Sequence, residues 1–431
     1  MDTVQVKKKD EFAPSRGAYI AGSLFNYFIA LLTSGTFFAK LATTVGLSDS
    51  MTAILGSFTT FAGMFQLISI FLAHKTPVKR WVVPVQFLSN LLLAFLYLIP
   101  LMNMSGYLSV LFFLILILTK AGVSIITPSR VNSFFALCDD NKRGAFQAKN
   151  NIISFAGGIV FTYVIGIIID SFEARGDVSG SFTVLVIIIF VLSLLELGVM
   201  LSAKEKPENK ERAQSPFGDI KSLFSSKKYR RMLLLYIFWN CALNVTIPFL
   251  GTYQISELGF SMTIVATISA ATGVLNMLML YLFGRYSTKH SYASMLRISY
   301  PVAIAAFLAL ALSGSGTFVI FYFVFILLRV IYGELHTVAD LNLIYGAVPT
   351  GQRTAAMAVN TMVVGLSSFL TTLAASPLVD YVQSVTLELF GRPIYAQQIL
   401  AAISALIITG VALFYHFGCK PMLEKNTDNA N

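Results

Sequence analysis

Trp81–Thr119 reads WVVPVQFLSNLLLAFLYLIPLMNMSGYLSVLFFLILILT, thirty-nine residues without one charged side chain. Pro100–Gly106 supplies a turn near its middle. Each flanking run is then about 20 residues, the length one membrane-spanning helix needs. The stretch Ile298–Leu328 repeats the pattern, divided by Ser313-Gly314-Ser315-Gly316. Working outward from these two pairs gives twelve spans over 17–41, 50–73, 81–100, 107–127, 146–169, 181–202, 231–254, 262–283, 293–313, 316–337, 355–378 and 396–417. The whole composition agrees. Of 431 residues 56% are hydrophobic and 12% charged, about half the charge of a soluble domain. A soluble enzyme, a disordered chain and a coiled coil are excluded. An all-α membrane protein is expected, with almost no room for an appended soluble domain.

The net charge is +10. Set the N-terminus inside, and 26 of the 31 Lys and Arg fall on inside segments. Lys40, Arg175 and Arg392 stay outside, and Lys120 and Arg329 lie within helices. Cytoplasmic loops collect Lys and Arg, so both termini are expected in the cytoplasm and the membrane is a plasma membrane, of the bacterial inner type. This accounts for the basic balance without nucleic acid. The apolar stretch after Arg16 is longer than a signal-peptide core and reads as a retained first helix. Cys138, Cys241 and Cys419 are all kept from the outside, so no disulfide is expected.

Segment 203–230 is the longest polar stretch. It opens with the charged run Lys204–Arg212. It continues through Pro216 into an amphipathic piece with Phe217, Ile220, Leu223 and Phe224 on one face, a pattern that suits the membrane surface. The expected organisation is a tail (1–16), a six-helix bundle (17–202), this linker, a second six-helix bundle (231–418) and a tail (419–431). The bundles read as repeats. A shift of 210 residues carries Arg143, Ala145, Ala148, Asn150 and Asp170 onto Arg353, Ala355, Ala358, Asn360 and Asp380, and Lys79 onto Lys289. A shift of 213 carries Gly46 and Ser48 onto Gly259 and Ser261. Parallel repeats joined by a linker are transporter architecture.

The loop Gly284-Arg285-Tyr286-Ser287-Thr288-Lys289-His290-Ser291 and the run Asp139-Asp140-Asn141-Lys142-Arg143-Gly144 resemble signature loops of the major facilitator superfamily. Thr288 and Ser291 stand where that family has an acid and a glycine, and the earlier copy, His74–Trp81, keeps only Lys79. The resemblance covers essentially the whole chain. It implies a cytoplasmic gate, with Lys79, Asp139, Asp140, Arg143, Lys289 and Arg353 as candidates. It also implies a cavity lined by helices 1, 4, 7 and 10, where Asn26, Trp239, Asn240 and Asn244 combine polar and aromatic groups.

Ionisable residues within spans are site candidates by default. Helix 10 carries Arg329, Glu334, His336 and Asp340. At 100° per residue Arg329, His336 and Asp340 share a stripe, while Glu334 lies about 140° from Arg329. Arg329 and Glu334 are read as the buried pair of interest, with Glu334 as proton carrier, and Asp340 is assigned to the gate. Lys120 in helix 4 is either a cavity cation for an anionic substrate or a lysine that snorkels. Glu196 in helix 6 is read as peripheral, and Lys40 as a snorkelling helix end.

There is no P-loop, no His-Glu-x-x-His and no metal-spaced cluster among the four His. No cofactor and no enzyme activity are expected. The expected function is secondary active transport of a small molecule by a monomer in the bilayer, driven by a coupling proton. A non-transporting receptor on the same fold is the alternative, and drug export and nutrient or organic-acid symport both stay open.

Overall fold

The computed structural model describes residues 11–66, 68, 78–102, 108–137, 143–204, 222–287, 290–348, 353–385, 387–389 and 392–419. In the first half, α1 (Ala13–Leu32), α2 (Gly35–Thr44), α3 (Asp49–Phe61), α4 (Val78–Leu98), α5 (Leu108–Ala136), α6 (Arg143–Glu173) and α7 (Val178–Ser202) follow in order. The second half has α8 (Lys227–Asn244), α9 (Met262–Ser287), α10 (Tyr292–Ala311), α11 (Val319–Ala347), α12 (Arg353–Val385) and α13 (Ala396–Phe414). A two-residue antiparallel ladder, Glu388–Leu389 with Arg392–Pro393, lies between α12 and α13. Among the described residues ten helices are long and apolar enough to cross a membrane, or eleven with α1 and α2 counted as one bent span. The expected second span, 50–73, is described only as α3 and the turn Ala62–Phe65 that follows it, which is consistent with twelve.

The helices carry apolar side chains on both faces. One face packs inward. Leu32, Leu41, Leu96, Phe112 and Ile189 form a core in the first half, and Tyr300, Phe307, Phe325, Leu335 and Ile408 form one in the second. The other face is left bare. Leu118 is 60% exposed, Val160 64% and Leu406 73%. Water would penalise such surfaces heavily, whereas lipid does not. The helix α7 is apolar nearly all round, as a span facing lipid should be.

The expected first span, 17–41, is interrupted. The axis bends by 47° between α1 and α2. Gly35 stands at φ +56, a left-handed conformation in which a Cβ would be strained. The seventh span is interrupted in the corresponding place. Here α8 ends at Asn244, the turn Ile247–Phe249 contains Pro248, and a π-turn runs Tyr253–Glu257. Pro248 lacks the N–H that a continuous helix would need. Thr33 and Thr246, at the two breaks, are 213 residues apart, the shift already read from Gly46 and Gly259. Span seven also starts at Lys227, earlier than the expected 231, because the Ser226 hydroxyl caps it by accepting from the Tyr229 N–H at 3.3 Å. The linker's amphipathic piece lies mostly outside the described residues. Its described end places Leu223 in the core of the second half and leaves Phe224 exposed.

Two ends can be told apart. At the linker end Arg16 donates to the Leu137 carbonyl (3.0 Å), Lys204 N–H to Ser15 (2.9 Å) and Arg231 to Gly418 (3.0 Å). At the opposite, far end the halves meet. Thr36 donates to Gln254. Asp49 accepts from Gln383 (2.8 Å) and Gln397 (3.3 Å). Asp170 of α6 accepts from the N–H groups of Met262 (2.9 Å) and Thr263 (2.8 Å), capping α9 from the other half. Deeper in, Phe369 packs on Phe61 with ring centroids 4.9 Å apart.

Candidate transport site

Two polar clusters occupy equivalent places in the halves. In the first, Arg130 of α5 and Glu196 of α7 form an ion pair at 2.8 Å. Asn90 donates to Glu196 (2.7 Å), and Arg130 and Asn90 are tied together through Gln86. Gln86 also donates to Asn26 of α1 (3.0 Å), and the Arg130 guanidinium lies over the Tyr19 ring. The expected spans 107–127 and 146–169 leave Arg130 in the loop between them, and Glu196 is expected at the periphery. The structure buries both. A charge pair this deep persists only with further hydrogen bonds, and the amides of α4 supply one to Glu196 Oε2 and one to Arg130 Nη1, while Arg130 Nη2 has no hydrogen-bond partner among the described residues.

In the second half His336 of α11 stacks on Trp239 of α8, with ring centroids 4.1 Å apart, and Tyr300 and Tyr332 meet these rings edge-on. His336 Nε2 is 3.1 Å from Asp340 Oδ1. One feature is common to both clusters. Tyr19 donates to the Arg130 carbonyl (3.2 Å), and Tyr236 donates to the Asp340 carbonyl (3.0 Å). Arg130 and Asp340 are 210 residues apart, so the two halves use one tether, on a basic residue in the first half and an acidic one in the second.

The expected pairing of Arg329 with Glu334 is not formed. Both are half-buried, and no ion pair joins them among the described residues. Five helical steps turn them about 140° apart, so one partner for both would need a second helix. Asp340 faces His336 within its own helix. Lys120 of α5 reaches α1 instead of snorkelling. Its ammonium donates to the Thr33 carbonyl (3.3 Å) and approaches the Thr33 hydroxyl (3.5 Å). That carbonyl belongs to the broken end of α1, where partial negative charge collects. Asn240 donates to the Tyr236 carbonyl (2.9 Å), and Asn244 to the Asn240 carbonyl (2.8 Å) and to Ser368 of α12 (3.1 Å). Lys40 pairs with Glu173 rather than reaching for a lipid surface.

Of the gate candidates, Lys79 donates to the last carbonyls of α7, Leu201 and Ala203, within its own half. Arg143 and Arg353 are the first residues of α6 and α12, and their side chains lie outside the described set. Asp139, Asp140 and Lys289 lie outside the described residues. Gln86, Asn90 and Arg130 were missed from sequence. The signal available was the spacing of Gln86 and Asn90, one helical turn apart on an otherwise apolar span.

The family profile of the major facilitator superfamily matches residues 19–372. No curated protein matches the chain in sequence. Among solved structures, a single-residue variant of the nucleoside transporter NupG superposes with TM-score 0.73 at 14% identity, covering 93% of this chain and 99% of that one. A D-xylose-proton symporter gives 0.64 at 17% identity, over 93% and 96%. A single-residue variant of the E. coli fucose:proton symporter FucP gives 0.55 at 15%, over 94% and 98%. At such identities the likeness bears on the fold. With the profile running through both halves, and two bundles that meet over paired helix breaks, this integral multi-pass chain belongs to the major facilitator superfamily of transporters.

Proposed function

We propose that the protein is a secondary active transporter that carries a small polar molecule by alternating access, with the substrate held between the halves at the level of the two helix breaks. The observation that carries this reading is the far-end seal lying directly over those breaks. Interrupted helices free backbone groups that can bind a solute, and a sealed far end is half of an alternating cycle. The charge count supports the linker and both termini being cytoplasmic, in a plasma membrane of the bacterial inner type. The far end then faces outside and the molecule faces inward. It works as a monomer, each half serving as the other's partner.

The coupling ion in this proposal is a proton. Two of the similar structures are described as proton symporters. Glu334 is the carrier. It is half-buried, and among the described residues no cation lies within ion-pair distance of it. It can therefore gain a partner on a facing helix when α11 moves. Asn26, Trp239, Asn240, Asn244, Arg329 and Lys120 border the substrate. Lys79, Asp139, Asp140, Arg143, Lys289, Asp340 and Arg353 close the cytoplasmic side in the opposite state. Uptake into proteoliposomes under an imposed pH gradient tests the reading. Glu334→Gln is expected to abolish gradient-driven accumulation and to spare exchange at equal concentrations. Full accumulation by a well-expressed Gln variant removes Glu334 from the mechanism, and absence of uptake for every solute class removes transport itself.

A further inference from the structure

Lys120 and Arg329 stand at the same height in α5 and α11, the fourth span of each half. They are 209 residues apart, one residue from the 210-residue repeat, or about 1.5 Å along a helix axis. Among the described residues neither has a carboxylate within ion-pair distance. The described ion pairs of the interior and far end go elsewhere: Arg130 takes Glu196, Lys40 takes Glu173 and His336 lies against Asp340. Lys120 reaches the carbonyl and hydroxyl of Thr33, both at long distances. Arg329 lies within electrostatic reach of the hydroxyls of Tyr322 and Tyr332.

On the far-end side of these two cations a hydrogen-bonded run, Thr36 to Gln254 to Tyr322, crosses from one half to the other. Lys120 touches Thr33, at the end of α1. Thr36, three residues on in α2, donates to Gln254 of the seventh span, and Gln254 donates to Tyr322 of α11. Tyr322 is one of the two hydroxyls near Arg329. Arg329 lies seven residues below Tyr322 on α11, about 10 Å along the axis, and Lys120 lies beside the break at Thr33, so both cations stand beneath the far-end contacts between the halves. Two half-buried positive charges with no described carboxylate at ion-pair distance are costly in a membrane interior. A cost of that kind is tolerable where a ligand supplies the missing charge.

We infer that the substrate is an anion, a carboxylate or phosphate ester small enough to lie between the halves, and that Lys120 and Arg329 hold its negative charge from opposite sides. This rests on the transport reading above and names the substrate class that reading leaves open. Arg offers a planar fork of donors to a carboxylate or phosphate, and Lys a compact point charge. An ordinary neutral sugar or nucleoside would leave both charges uncompensated. When the anion leaves, Lys120 falls back on the Thr33 carbonyl, which the broken helix leaves without an intrahelical donor.

The test is thermal unfolding of the purified protein at constant ionic strength, with chloride as reference. Citrate and inorganic phosphate are the charged probes, and xylose and uridine the neutral ones. Wild type is expected to be stabilised by a charged probe and not by the neutral ones. Lys120→Gln, which keeps a donor for Thr33 but drops the charge, should lose that shift, as should Arg329→Gln. Lys120→Arg and Arg329→Lys should retain part of it. Citrate and phosphate acting separately tell a carboxylate site from a phosphate site. Equal shifts in wild type and both Gln variants mean a general salt effect and overturn the inference. Stabilisation by xylose or uridine that survives both Gln substitutions overturns it as well, and so does the absence of any site-dependent shift. The readout is binding, so a protein that binds citrate or phosphate here but moves nothing in proteoliposomes refutes transport and leaves the anion site standing.

Discussion

Arg130 and Glu196 meet at 2.8 Å inside the first half, with 9% and 2% of their side chains exposed. They come from α5 and α7, and α4 lies between them with Gln86 and Asn90 as ligands for the pair. Through Gln86 the same network reaches Asn26 in α1. The arrangement locks four helices of one half into a unit, which is what a half that moves as a rigid body requires.

Breaking that pair should be costly. Glu196→Met leaves a buried guanidinium without its counter-charge, and loss of one partner of a buried pair costs about 3–5 kcal/mol. Adding Arg130→Met removes the stranded charge and is expected to restore most of the stability. Unfolding of wild type, the two single variants and the double variant, read as a double-mutant cycle, checks this. A neutral Glu196→Met would mean that the pair contributes nothing to holding the half together.

Asp49 gives a pH dependence. It lies at the head of α3, ahead of the apolar stretch, and is 8% exposed. Burial pushes its carboxyl above the usual carboxylate range, against the hydrogen bonds from Gln383, Thr252 and Gln397, and Asp380 presses the same way as burial. Opening the far end would return Asp49 to water and lower its pKa. The sealed state therefore binds the proton more tightly. Sealing is favoured as pH falls, and its advantage is lost as pH rises through the sealed-state pKa. Spin labels at Ser179 and Ser384, exposed on opposite halves, should separate with rising pH. Asp49→Asn should flatten that response. An unchanged pH profile in Asp49→Asn would assign the response to another group.

Asp170 works on the same seal by a different force. Its two carboxylate oxygens accept from Met262 and Thr263, the first N–H groups of α9. A charged cap at a helix N-terminus is worth about 1 kcal/mol. Asp170→Asn is expected to raise the far-open population by about 5-fold, read by the same label distance. Because the cap belongs to the other half, the stability of the first half alone should be little affected.

What the sequence made legible follows from what each feature needs. A span needs only about 20 apolar residues, so the spans and their division by the linker could be read locally. The repeat could be read from loop residues such as Arg143 and Arg353, because polar positions stand out in an apolar chain. The partner of Glu196 could not. Arg130 sits 66 positions earlier, near a span end where Arg is ordinarily a topology signal, and its burial depends on how α5 lies against α4 and α7. Arg329 and Glu334 form no pair among the described residues: the sequence already turned them about 140° apart on one helix, and which neighbouring helix each faces depends on packing that the sequence does not carry. The break at Thr33 was hidden because Ser34-Gly35 within an apolar run is as compatible with a continuous membrane helix as with a bend.

Gly365 offers the sharpest test of the seal itself. In α12, facing α3, a Cβ at this position would stand 2.5 Å from the Thr60 carbonyl oxygen and 3.9 Å from the Phe61 Cα. The obstacle is backbone, which cannot swing aside as a side chain does. The atoms nearest to that Cβ all belong to the first half, so each half should fold normally with alanine there. What alanine prevents is the close approach of α12 to α3. Gly365→Ala is therefore expected to hold the far end open, to leave the unfolding temperature close to wild type, and to slow transport. Gly273→Ala is the control, because a Cβ at Gly273 meets nothing within 4 Å. Far-end accessibility, measured by labelling a cysteine placed at Ser50 with a membrane-impermeant maleimide, should rise in Gly365→Ala and stay unchanged in Gly273→Ala. Ser50 is buried in the seal, and its carbonyl faces Ser376 of the opposite half. If labelling and transport in Gly365→Ala match wild type, the α3–α12 crossing is not the contact that closes the far side, and the gate must be sought between α2 and the seventh span, where Thr36 meets Gln254.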